Sequence, residues 1–295
     1  METKTLIDAK DLSTLMTTEP VVIIDTRAPE DYAISHIPGA VNIREIFSYL
    51  STSTPEGLAS MQDMFVDLLG KAGLSGKELA VIYEDAMNNG YGQSCRGYFL
   101  LKFLGYPLVS ILHGGYQAWQ DADLPTTAEV PMPTAQTFPL NIDSSLIIDK
   151  DAMLKSLDDP AIIKLDVRDF DEWMAQSSSP YGVDFCPRKG RIPGAVLIEW
   201  YTMMKAENGL PMFLPKEEIQ AIAGQVGITP DSTVNIYCFK GARASNTFVA
   251  LNEAGVKDVR IYFASWNEWS RDHSLPIEEG PADPARPAVR AAVQV

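Results

Sequence analysis

The sequence predicts an α/β protein made of two tandem domains, each a mainly parallel sheet flanked by helices. Three observations carry this expectation. At 295 residues the chain exceeds the usual size of one compact unit, so two units of roughly 100–150 residues are expected. Short apolar runs alternate with helical stretches, as in buried parallel strands joined by crossover helices. The two halves also carry the same landmarks in the same order, the mark of an internal duplication.

Taken in order, Val21-Val-Ile-Ile-Asp-Thr-Arg27 and Ile162-Ile-Lys-Leu-Asp-Val-Arg168 are apolar runs ending in Asp-x-Arg, and both read as buried strands. Each leads into an acidic, aromatic segment, Pro29-Glu-Asp-Tyr32 or Phe170-Asp-Glu-Trp173, and then into a turn, His36-Ile-Pro-Gly-Ala-Val41 or Arg191-Ile-Pro-Gly-Ala-Val196. Leu79-Ala-Val-Ile-Tyr83 and Thr233-Val-Asn-Ile-Tyr237 are strands entering a loop that feeds a helix. Those helices should stop at Gly105 and Gly255, because glycine adopts the left-handed conformation that closes a helix. Final strands follow at Leu108–Leu112 and Val259–Phe263, and then Gly115-Tyr-Gln-Ala-Trp119 and Ser265-Trp-Asn-Glu-Trp269, whose Trp266 and Trp269 are expected to pack. The segment from Thr126 to Pro139 is rich in Pro, Thr and Ala without periodicity and reads as a linker. The expected organisation is thus a first domain over 1–127, a linker over 128–138, a second domain over 139–280, and an unpatterned surface tail over 281–295.

Composition narrows the function. Apolar residues are 46% and charged residues 21%, the balance of a folded globular chain. A formal charge of -15 argues against nucleic-acid binding, which needs clustered Lys and Arg to neutralise phosphates. No run is long and apolar enough for a membrane span. The stretch from Met1 to Asp11 lacks the basic and apolar regions of a signal peptide, so a cytoplasmic protein is expected, or a periplasmic one if a signal peptide had been removed. Cys95, Cys186 and Cys238 are too far apart for a CxxC pair and read as reduced thiols. The three histidines have no ligand spacing, and neither a metal nor another cofactor is expected.

The chemistry concentrates where the strand over 233–237 ends. Backbone N–H groups point outward unpaired at such a strand-to-helix corner, beside the positive end of the helix dipole, and anions bind there. Cys238-Phe-Lys-Gly-Ala-Arg243 occupies this corner, followed by Ala244. Gly241 permits the backbone angles that curl successive amides inward, and Lys240 and Arg243 add positive charge. Every nearby partial charge favours thiolate, which makes Cys238 the candidate nucleophile. The equivalent residue of the first half is Glu84, followed by Asp85, and two negative charges there would repel an anion. Cys95 falls inside a helical stretch and reads as structural, as does Cys186. The latter lies in Phe185-Cys-Pro-Arg-Lys-Gly190, a basic segment that could border the site.

From about Thr5 to Glu279 the chain resembles the two-domain rhodanese and mercaptopyruvate sulfurtransferase family. The Asp-x-Arg strands, the Ile-Pro-Gly-Ala-Val turns, the Cys238 loop and the closing Ser265-Trp-Asn-Glu-Trp269 carry the resemblance. It implies tandem rhodanese-like domains of which only the second is catalytic. It also implies a double displacement in which Cys238 takes sulfane sulfur from a small anionic donor and passes it to a thiophilic acceptor, cyanide or a thiol. The loop residues Phe239, Lys240, Gly241, Ala242, Arg243 and Ala244 would hold the thiolate and persulfide. Lys240 and Arg243 favour thiosulfate over 3-mercaptopyruvate, whose enzymes tend to have a small polar residue in place of Lys240. Many thiosulfate enzymes place a donor-binding arginine where this chain has Glu172, and Arg188 or Arg191 could replace it from the inserted segment. Phosphatases related to this fold use a loop one residue longer between cysteine and arginine, and the short Phe239–Ala242 spacer suits a single sulfur atom better. A non-catalytic sulfur-carrier or partner-binding module is the other alternative. The resemblance does not define an oligomeric state.

Overall fold

A computed structural model describes residues 4–291; the expected first domain and tail each extend a few residues outside them. The strands are β1 (Leu6–Ile7), β2 (Val21–Asp25), β3 (Val41–Asn42), β4 (Leu79–Tyr83), β5 (Val109–Leu112), β6 (Ile147–Ile148), β7 (Ile162–Asp166), β8 (Val196–Ile198), β9 (Met204–Glu207), β10 (Leu210–Phe213), β11 (Thr233–Tyr237), β12 (Asp258–Tyr262) and β13 (Ala288–Val289). The helices are α1 (Ala9–Thr18), α2 (Pro29–Ile34), α3 (Glu45–Ser48), α4 (Pro55–Lys71), α5 (Gln93–Phe103), α6 (Gly115–Asp121), α7 (Lys150–Lys155), α8 (Phe170–Trp173), α9 (Lys216–Gly224), α10 (Ala242–Glu253) and α11 (Ser265–Trp269).

The first sheet has the order β1-β5-β4-β2-β3 and the second the order β13-β8-β7-β11-β12-β6. The paired strands of both run parallel. Central strands β4 and β11 are flanked by neighbours on each side and buried on both faces, which is why Leu79-Ala-Val-Ile-Tyr83 reads as an unbroken apolar run. Gly105 and Gly255 take φ of 78° and 92° just after α5 and α10, as expected of helix-closing glycines. One core gathers Ile23, Val81, Leu112 and Trp119, and the other gathers Leu197, Tyr237, Trp266 and Trp269.

Two compact units result. One comprises the chain to Tyr49 with Ala59–Asp143 and Lys205–Phe213; the other comprises Leu50–Leu58, Ser144–Met204 and the chain from Leu214. They depart from the expected boundaries through two exchanged segments. Ser53 joins the second unit because its backbone N–H and hydroxyl donate to the two oxygens of Glu268 at 2.7 and 2.6 Å. Phe213 joins the first, where its N–H donates to His113 Nε2 at 3.0 Å. The segment expected as a linker is docked on the first unit, since Gln136 N–H donates to Gly70 O at 2.8 Å and Phe138 stacks on Tyr106. The expected surface tail also needs correction. Ala288 and Val289 form β13 beside β8, so irregular composition here conceals an edge strand.

Candidate functional site

In each unit the corner at the end of the central strand, β4 or β11, is braced the same way, by a tyrosine hydroxyl donating to the aspartate of an Asp-x-Arg strand. Arg168 forks onto Asp166, Nη2 at 2.6 Å and Nε at 2.9 and 3.1 Å, and its Nη2 also donates to Gly190 O at 2.7 Å. The Tyr237 hydroxyl donates to Asp166 at 2.6 Å. Burial, reinforced by the Asp166 carboxylate, pushes that phenol well above its ordinary pKa, so it remains a donor. The guanidinium of Arg168 lies 4.5 Å from the Trp266 ring centroid. With the Tyr237 hydroxyl upon it, this fully buried, bidentate pair ties the end of β7 to the end of β11.

Beyond Tyr237 the chain breaks from the sheet at Cys238, which is 1% exposed. Its own amide donates to Ser265 Oγ at 3.1 Å, and its carbonyl accepts from Trp266 N–H at 3.0 Å. Phe239 O likewise accepts from Asn267 N–H at 3.0 Å. The start of the loop is therefore hung on the first turn of α11. Ser265 holds its place with φ of 58°, an unusual conformation for a residue with a side chain. Gly241 completes the turn with φ of 89° and donates its N–H to Cys238 Sγ at 3.1 Å. A Cβ at Gly241 would lie 2.8 Å from the Phe263 ring and 3.0 Å from its carbonyl oxygen. Ala242, Arg243 and Ala244 then open α10, so their amides belong to the first helical turn, which has no intrahelical acceptor. The corner can hold a thiolate or a terminal sulfur anion on neutral dipoles and the helix end.

The cations expected around Cys238 divide into two groups. Lys240 is in the loop, 8% exposed, with its ammonium 5.6 Å from the Tyr181 ring centroid. Tyr181 packs on Phe239 at 4.8 Å between centroids, and Phe185 approaches Phe239 at 6.3 Å. Arg243 is buried, and Nη1 and Nη2 donate to the two oxygens of Glu172 at 2.6 and 3.2 Å. Asp169 adds a second carboxylate 3.2 Å from Nη1. Burial works against the guanidinium's charge, but the Glu172 and Asp169 carboxylates outweigh it and hold Arg243 firmly protonated. Burial raises the Glu172 carboxyl, with Arg243 and Arg168 pulling the other way. Asp169, Asp171 and Glu172 lie close enough to share a cation, and Arg243 already supplies that charge to two of them.

Arg188 and Arg191, the two residues expected to reach the donor from the inserted segment, are engaged with backbone carbonyls and with Glu278. Arg188 donates to four carbonyls, of Trp269, Ser270, Asp272 and Leu275, at 2.6–2.9 Å. Arg191 donates to Glu278 and to the carbonyls of Trp173, Gly280 and Pro281. Both tie the inserted segment and the C-terminal stretch to the body of the unit. Cys186 is buried, and burial pushes its thiol up to about 11; Cys95 is buried in α5. Sequence reasoning missed Ser265 and the Glu172–Arg243 pair as parts of the site. The position of Ser265 directly after the last strand was a usable signal, whereas nothing local connected Glu172 to Arg243.

Comparisons with known proteins bear on the family and the fold. A rhodanese-like domain model matches residues 8–122 and again 149–272. The thiosulfate sulfurtransferase of Azotobacter vinelandii is 26% identical over 275 residues, covering 92% of this chain and 96% of that protein. A putative thiosulfate sulfurtransferase of Haloferax volcanii is 30% identical over 262 residues, covering 88% and 87% respectively. The sulfur carrier protein TtuD of Thermus thermophilus is 29% identical, covering 84% and 87%. Among solved structures, an anaerobic ergothioneine biosynthesis enzyme from Chlorobium limicola superposes with a TM-score of 0.79 at 23% identity, covering 94% of this chain and 71% of that one. With both halves matched and the paired parallel sheets in place, this chain belongs to the two-domain rhodanese family of sulfurtransferases.

Proposed function

We propose that Cys238 carries sulfane sulfur as a persulfide, taking it from thiosulfate and delivering it to cyanide or a thiol. The observation that carries this reading is the Gly241 N–H aimed at Cys238 Sγ at 3.1 Å, at the head of α10. The Cys238 thiolate attacks the outer sulfur of thiosulfate, the S–S bond breaks, and sulfite leaves with the bonding electron pair. Cyanide then attacks the terminal sulfur of the persulfide, forming thiocyanate and returning the thiolate. A thiol acceptor would instead leave as its own persulfide. Both steps place negative charge on sulfur beside the same loop amides, where preorganised dipoles need no rearrangement. Lys240, in the loop two residues after Cys238, would meet a donor's sulfonate end in this reading. The first unit, with Glu84 at the equivalent corner, is catalytically silent in this reading.

Incubation with thiosulfate should add one sulfur atom to Cys238, detected on its peptide by mass spectrometry, and sulfite should appear in equal amount. Addition of that sulfur to Cys95 or Cys186 instead would overturn the assignment. Reading the protein as a carrier rather than a catalyst is favoured by the Thermus relative's description as a sulfur carrier protein. Persulfide formation without rapid thiocyanate production would select it. Steady-state rates with thiosulfate and 3-mercaptopyruvate decide between those two donors.

A further inference from the structure

The buried pair between Glu172 and Arg243 bears on which donors the site accepts. Arg243 is the second residue of α10 and shares the loop with Cys238; the charge on Cys238 is among the influences that hold it protonated. Its guanidinium is nonetheless turned to two carboxylates, Glu172 at 2.6 and 3.2 Å and Asp169 at 3.2 Å. Glu172 is 1% exposed and belongs to a capping box that fixes α8, with Asp169 N–H donating to it at 3.2 Å. Its geometry is thus set by backbone, not by a flexible surface tether. Further groups packed around α8 are balanced as well: Arg168 is matched by Asp166, while Glu199 accepts from Phe170 N–H and the Tyr201 hydroxyl. The loop therefore carries two cationic side chains, of which Arg243 is held in a bidentate carboxylate pair.

We propose that Glu172 determines the charge selectivity of the Cys238 site by neutralising Arg243. A doubly charged donor such as thiosulfate then gains less over a singly charged organic persulfide, R–S–S⁻, than the loop's two cations would provide. Glu172 acts through Arg243 and is a positioning residue. The inference rests on Cys238 being the reactive thiol, but it concerns the field there and not the identity of the physiological donor.

The test uses two alkylating probes of similar size, iodoacetate and iodoacetamide. In both cases the Cys238 thiolate displaces iodide, forming the S–C bond as the C–I bond breaks, and only the first probe is an anion. In the full-length protein at low ionic strength, Glu172→Gln should raise the iodoacetate-to-iodoacetamide rate ratio at Cys238 about tenfold, with thiosulfate kcat/KM rising in parallel. Glu172→Asp should stay near the wild-type ratio. An unchanged ratio in a folded Glu172→Gln protein overturns the proposal, because a purely structural role would alter both probe rates together. If that variant does not fold, the double variant Glu172→Gln, Arg243→Gln leaves no unpaired charge and should keep the wild-type ratio; a ratio lowered severalfold would show that Arg243 was never neutralised and would equally overturn it. Failure of Cys238 to react with either probe would instead count against the sulfur-carrier reading, so the two failures are separable.

Discussion

The two strand-to-helix corners, β4 into α5 and β11 into α10, are built from the same parts and end in opposite chemistry. Tyr83 and Tyr237 both donate to the aspartate of an Asp-x-Arg strand, at 2.5 and 2.6 Å, and both receive an N–H from the following Ile-Pro-Gly turn. Glu84 and Cys238 both offer their carbonyl to the first turn of the last helix, to Tyr116 N–H at 2.8 Å and Trp266 N–H at 3.0 Å. The side chains differ. Glu84 turns its carboxyl group onto its own helix, accepting from Gln93 N–H and Ser94 Oγ at 2.9 Å each. The N-terminal donors that could hold an external anion are thereby satisfied from within. The second corner places a single sulfur atom there and closes the loop at Gly241, whereas the first continues through Asp85–Gly92 before α5 begins. The two copies thus share an architecture, and in the first a side chain fills the corner from within.

That contrast can be broken most severely at the nucleophile. Cys238→Ser should abolish thiosulfate:cyanide turnover, while Glu84→Cys should create no second sulfur acceptor, because residues 85–92 do not form the short glycine-closed turn. Mass spectrometry of thiosulfate-treated Glu84→Cys decides the second point, and sulfur on residue 84 would refute it.

Gly241→Ala comes next. The positive φ and the 2.8 Å approach to the Phe263 ring force the loop to shift, which should withdraw the amide from Cys238 Sγ. A fall in kcat of about 10²-fold is expected, in the range seen when one preorganised donor is lost. An unchanged kcat would remove this amide from the mechanism.

Lys240→Ala should lower kcat/KM for thiosulfate by roughly ten- to two-hundredfold, equivalent to about 1.5–3 kcal/mol for a charge-assisted hydrogen bond. The loss should be smaller for mercaptopyruvate, with its single carboxylate. Equal losses for both donors that vanish at high salt would reduce Lys240 to a contributor to the general field.

The mildest effect sharpens the other half of the comparison. Burial pushes the Glu84 carboxyl up to about 8, against the opposing hydrogen bonds from Ser94 and Gln93. The folded first unit therefore keeps a proton that the unfolded chain releases near 4.5, the ordinary value. Stability from this group is fully present below that value and is lost as pH rises through about 8. Glu84→Gln should cancel that loss, raising the stability of the first unit at pH 8 by on the order of 1–3 kcal/mol, with little gain at pH 4. Urea unfolding of the first unit at both pH values tests it, and sulfur transfer should be unchanged. A gain of the same size at both pH values would mean that the carboxyl is not protonated on folding.

What could be read in the sequence was whatever is encoded over short distances. Alternating apolar runs and glycines at helix ends expose the parallel sheets and their duplication, because strand burial and left-handed backbone angles leave marks within a few residues. The strand-to-helix corner at Cys238-Phe-Lys-Gly-Ala-Arg243 was legible for the same reason, as was the acidic residue at the equivalent place, Glu84. The destinations of the long side chains were not. Arg188, Arg191 and Arg243 look alike as basic residues in the sequence, yet Arg188 ends on carbonyls, Arg191 on carbonyls up to 90 residues away and on Glu278, and Arg243 on Glu172, 71 residues away. The edge strand over Ala288–Val289 and the exchange of Ser53 into the second unit were equally hidden, since each depends on one distant partner. A guanidinium or an unpaired strand edge binds whatever acceptor packing brings within hydrogen-bonding distance, and only the tertiary structure decides which acceptor that is.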